Sequence, residues 1–117
     1  MPTLDDAKNL FEVFVGRLIA AEYAEARSML SEEAAGDWTT DRLAQAWTAM
    51  MIDDSQAVMF SETTAVDAME NWEERHPSDV GWVYVPVLNQ TVNEGLSGIV
   101  METPRGLKVR ALEFGRP

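Results

Sequence analysis

The chain has no cysteine, which excludes disulfides, thiolate zinc sites and cysteine nucleophiles. It has one histidine, His76, and no calcium-loop or histidine-containing metal spacing, so neither a metal nor a cofactor is expected. The seven glycines are scattered and build no phosphate-cradling loop. No apolar run approaches the ~20 residues of a membrane-spanning helix. The start, Met1-Pro2-Thr3-Leu4-Asp5-Asp6, lacks the basic region of a secretory signal, so a cytoplasmic location is expected. Positive charge is scarce: 9 Lys and Arg stand against 20 Asp and Glu, a net charge of −11. Such a field repels phosphate backbones, and neither nucleic acid nor an anionic membrane is expected as a partner.

What is present suits one globular domain. The length of 117 residues fits a single domain over 1–117, and 46% hydrophobic residues supply a core. Charge is uneven along the chain. Residues 1–54 carry 11 acids and 4 bases, and residues 55–79 carry 6 and 1. Residues 80–117 carry 3 acids and 4 bases. The acid therefore sits on the front of the chain, as a solvated face or as a docking face for a basic protein partner.

The hydrophobic pattern changes period along the chain. Thr3 is placed to cap a helix running to about Ala21, with Asp5 and Asp6 in its first turn. Leu4, Ala7, Phe11, Phe14 or Val15, and Leu18 form its stripe, and Leu10, Val13 and Ile19 widen it. A second helix is expected from Glu22 to Leu30, a loop from Ser31 to Gly36, and a third helix from Thr39 or Thr40 to Met51. Leu43, Trp47 and Met50 line that third helix. Asp53 to Ser55 breaks it, and Gln56 to Ser61 reads as a strand. Residues 64–72 read as a short helix opened by a capping-box-like Thr64 to Asp67, with a strand as the rival. Beyond the His76 to Asp79 loop the period becomes two. Trp82, Tyr84, Pro86 and Leu88 alternate with Val83, Val85 and Val87. Pro86 suggests a sheet edge or a bulge. Leu96 to Thr103 and Leu107 to Phe114 follow as strands. A parity break in the last one predicts a bulge near Arg110–Ala111. Helices first and an antiparallel sheet afterwards define an α+β fold.

Phe14 to Ser31 resembles the long first helix, short turn and second helix of small NTF2-like domains. Thr39 to Met51 resembles their third helix, and Leu107 to Phe114 their last long strand. The resemblance to this NTF2-like (cystatin-like α+β cone) superfamily covers nearly the whole chain through fold motifs. It implies N-terminal helices packed on a strongly bent antiparallel sheet. It also implies an apolar cavity between helix and sheet in many members, and homodimers through the outer sheet face. The superfamily includes isomerases, dehydratases, epoxide hydrolases and binding modules, so fold alone does not choose among them.

No complete catalytic set is legible. Isomerase-like or lyase-like chemistry would need Glu102 or Glu113 as base and Tyr84 as polarising donor. A dehydratase-like base would have to be His76, which precedes a proline in an acidic loop. An epoxide-hydrolase-like set needs two Asp about an Arg. Arg110 is available, but no Asp lies beyond Asp79. Trp47, Met50, Met51, Trp82 and Tyr84 are the candidate lining of an apolar ligand pocket. The same residues would serve equally as core or, for Trp82 and Tyr84, as a dimer face. The composite expectation is a binding or interaction module more than an enzyme. It would form a homodimer through the outer sheet face and take an apolar small ligand or a basic protein partner.

Overall fold

A computed structural model describes residues 2–50, 59–60, 67–88 and 93–114. Among the described residues four helices, α1 (Leu4–Ile19), α2 (Tyr23–Arg27), α3 (Glu32–Asp37) and α4 (Thr40–Met50), precede five strands. The strands are β1 (Met59–Phe60), β2 (Asp67–Met69), β3 (Asp79–Leu88), β4 (Asn93–Thr103) and β5 (Gly106–Phe114). All pairings between strands are antiparallel, in the order β1-β3-β4-β5, with β2 beside β1 on the same edge of β3. The sheet is open and the class is α+β.

Helix α1 starts where its cap chemistry places it. The Thr3 hydroxyl accepts from the Asp6 N–H at 3.2 Å, and the Asp6 carboxylate accepts from the Thr3 N–H at 2.9 Å. This is a capping box with aspartate in the acidic role. The helix ends in a Schellman motif: Glu22 N–H donates to Arg17 O at 2.8 Å and Ala21 N–H to Leu18 O at 3.0 Å. Ala21 takes φ 60° there, a conformation that favours glycine.

The inner face of the sheet packs on α1. Ala7, Phe11, Phe14, Val15 and Leu18 meet Val83, Val85, Val87, Leu96, Val100 and Val109, and all are fully buried. Phe11 sits so close over Gly98 that a Cβ at that position would overlap its ring. Leu10 and Ile19 pack against this core as expected, but Val13 is 51% exposed and faces away from it.

Several expectations change. Ser31 to Gly36 is largely helix α3, because the Ser31 hydroxyl accepts from Ala34 N–H and Glu32 and Glu33 suit the first turn. The second helix stops at Arg27, and Leu30 instead bridges to Val109 at the free edge of β5. Arg27 pins α3 by donating to the carbonyls of Ala35 and Trp38. Residues 67–69 form strand β2, paired with Trp82 to Tyr84, so tertiary pairing outweighs the helical spacing read there. Thr64 to Val66 lie outside the described residues, as do Asp53 to Ser55 and most of the Gln56 to Ser61 strand.

Pro86 falls between β1 and β2 on one side of β3, an edge-like place where no described residue pairs with it on that side, and it is not at a bulge of the β3–β4 ladder. It pairs with Gly95 in the unbroken β3–β4 register. On the other side of β3, β1 takes Val87 and Leu88 while β2 takes Trp82 to Tyr84. The bulge expected in the last strand is present at Arg110: Ile99 pairs with Ala111 and Val100 with Val109, leaving Arg110 as the extra residue. A second bulge lies at the same level on β3, where Val80 is extra between Asp79 and Gly81.

Candidate functional site

The two bulges aim one acid and one base at each other over the outer face of β4. Strands β3 and β5 are two inter-strand steps apart, about 10 Å, a span that the long arginine side chain can cover. Arg110 Nε donates to Asp79 Oδ1 at 2.6 Å and its terminal nitrogen to Oδ2 at 2.7 Å, a fork-to-fork pair. The Asp79 side chain is 0% exposed and that of Arg110 19%. The His76 N–H adds a bond to Asp79 Oδ2 at 2.8 Å, and Arg75 donates to the Asp79 carbonyl. Burial pushes the Asp79 carboxyl up. The hydrogen bonds from Arg110 and the His76 N–H, with the arginine charge, outweigh it and hold the carboxyl below its usual range. The same bond raises Arg110.

Beside this pair lies an aromatic patch. Trp82, Tyr84 and Pro86 occupy the face of β3 opposite its valines and are half-buried. Trp72 stands edge-on to Trp82 at 6.1 Å, and Arg75 lies over the Trp72 ring at 5.9 Å. The Trp72 indole nitrogen is buried with no hydrogen-bond partner among the described residues. Tyr84 reaches across to Gly95, where a Cβ would overlap its hydroxyl. A groove floored by Trp82, Ile99 and Ala111 runs from Trp72 to His76 and Arg110. A larger groove, also lined by His76 and Arg110, opens between the Ser28–Glu33 segment and the β4–β5 hairpin.

The candidate pocket residues separate in space. Trp47 is buried in the helical core and Met50 packs against that core, both on α4. Trp82 and Tyr84 point to the opposite side of the sheet, and Met51 lies outside the described residues. The structure therefore brings Trp82 and Tyr84 to one surface and does not bring Trp47 or Met50 to it. Glu102 and Glu113 are both exposed, without the closed apolar surroundings that would tune a carboxylate as a base. The His76 ring is exposed, and the hydrogen bond of this residue to Asp79 uses its backbone N–H.

Sequence reasoning missed Asp79 as a structural anchor. The parity break flagged Arg110, but no local spacing marks a partner 31 residues away. Among the described residues no group of three or more acids or histidines is placed to hold a metal ion, and no helix is long and apolar enough to cross a membrane. Comparison with protein-family models, with curated proteins and with solved structures gives no match.

Proposed function

We propose that the chain is a non-catalytic binding module of the NTF2-like type that pairs with a second copy of itself through the outer face of its sheet. One observation carries this reading. From Gly81 to Val87 strand β3 is apolar on both faces, while α1 covers only the valine face. A sheet with one wet face alternates apolar with polar residues. Here Trp82, Tyr84 and Pro86 occupy the side that no described helix covers, and Met69, paired with Trp82, is 44% exposed. Charge supports a second copy as the occupant. Residues 80–117 are nearly neutral, so stacking two sheets back to back keeps the two acidic helical layers on far sides of the assembly, with Glu73 and Glu74 at the rim of the patch. The reading needs no ligand between α1 and the sheet, where Phe11 lies against Gly98.

Sedimentation velocity over about 1–100 μM spans the affinities expected of such a pair. A species of twice the 13.1 kDa chain mass is expected. Met69→Lys, a change at an exposed position, is expected to return it to monomer without altering the fold. An apolar interface keeps its strength in salt, whereas contacts through the acidic helices would lose theirs. A lone 13.1 kDa species throughout overturns the reading.

A further inference from the structure

The scarce cations are gathered in one place. Of nine Lys and Arg in a chain with 20 acids, Arg27, Arg105, Lys108 and Arg110 all line the groove beside the β4–β5 hairpin. That groove has a volume of about 980 Å³, at the upper end of the range for small-molecule sites.

How these cations are held matters more than their number. Arg27 donates through Nε and one terminal nitrogen to the carbonyls of Ala35 and Trp38, at 2.8 to 3.2 Å. Lys108 Nζ donates to the Ser28 carbonyl at 3.0 Å. Both are fixed by neutral oxygens, so their positions are set while their charge is not cancelled. The Arg105 guanidinium has no partner among the described residues. Glu32 and Glu33 also line the groove, yet neither forms an ion pair with a lining cation. Arg110, also in the lining, is neutralised by Asp79. Three uncancelled cations, two of them pre-positioned, suit an anion carrying more than one charge. Guanidinium groups with free N–H edges match the oxygens of phosphate.

We propose that this groove binds a small phosphorylated molecule, its phosphate taken by Arg27, Arg105 and Lys108. The inference goes beyond the pairing reading and stands apart from it. The groove lies at the β5 edge, whereas the Met69–Trp82–Tyr84 patch lies on β2 and β3.

Inorganic pyrophosphate is the probe, titrated at constant ionic strength while backbone amide NMR shifts are followed. Saturable shifts confined to residues 27–33 and 103–110 are expected, with an affinity in the ~1 mM range or tighter. Arg105→Ala, which removes no side-chain hydrogen bond or ion pair among the described residues, is expected to weaken binding several-fold, and Arg105→Ala with Lys108→Ala by about tenfold or more. Unchanged amide shifts elsewhere would show that both variants stay folded. The proposal is overturned if shifts fail to saturate by ~10 mM, if sodium chloride reproduces them, or if Arg105→Ala binds as tightly as the parent. Oligomeric state is not the readout, so failure here leaves the pairing reading standing.

Discussion

The two faces of the sheet are built from the same strands and do different work. On the inner face every side chain that β3 sends toward α1 is apolar and fully buried. On the outer face the same strand carries Asp79, Trp82 and Tyr84, a mixture that packing alone does not require. Inner positions are specified by volume. Outer positions combine an aromatic patch, one buried ion pair and, toward β5, a basic groove. An all-apolar strand face under a helix is a statement about stability. An apolar face with no described helix over it, beside a pre-ordered charge pair, is a statement about contact with something else.

Removing a comparable ring from each face tests the difference most severely. Phe11→Ala empties the space over Gly98 and is expected to cost about 3–5 kcal/mol of unfolding free energy. Tyr84→Ala removes a half-buried ring from the outer face and is expected to cost about 1 kcal/mol, with a larger effect on self-association. Urea unfolding at dilute protein concentration gives both values. Equal costs would mean that the outer ring is ordinary core and would remove the contrast.

The Asp79–Arg110 pair is the next largest effect. Asp79→Asn keeps the shape but leaves Arg110 without its counter-charge, a change worth about 3 kcal/mol. The pH dependence has a definite sign. The folded carboxyl lies below the ~3.9 of an unfolded chain, so its stabilisation is fully present above that pH. It is lost as pH falls through the folded value. The parent is expected to lose stability on this account below pH ~4, and Asp79→Asn to lack that contribution to the acid limb. Arg110→Lys is not expected to substitute, because an ammonium cannot reproduce the fork. Denaturation midpoints across pH 2–7 check each point; identical slopes in parent and Asp79→Asn would show that the pair does not anchor the bulges.

Much of the inner face is legible in the sequence. The alternation of Val83, Val85 and Val87 marks a buried strand face. The stripe from Ala7 to Leu18 marks the helix upon it, and Thr3 with Asp6 marks where that helix begins. The change of parity between Ala111 and Leu112 predicts a bulge near Arg110–Ala111, and the structure has it at Arg110. The outer face was less legible for physical reasons. Alternation says that Trp82 and Tyr84 share a side, but not that Trp47, from a helix 35 residues earlier, lies on the other. Asp79 reads as one more acid in a loop, because its burial depends on a base contributed by a different strand. Helix α3 hides in a short acidic segment whose one clear start signal, Ser31, also suits a turn. Strand β2 follows from pairing with β3 and not from its own spacing.

The smallest effect separates the two faces most cleanly. Ala21 closes the Schellman turn after α1 at φ 60°, where a Cβ costs free energy that glycine avoids. Ala21→Gly is expected to stabilise the fold by about 0.5–1 kcal/mol, after allowing for the greater freedom of glycine in the unfolded chain. In a domain of this size that raises Tm by about 2–5 °C. The change touches the end of the helix that covers the inner face and nothing on the outer one. Tm is therefore expected to rise while the sedimentation profile and its concentration dependence stay where they were. If the monomer–dimer balance moved with Tm, the outer face would be coupled to the packing of α1, and the division of labour between the two faces would fail at its hinge.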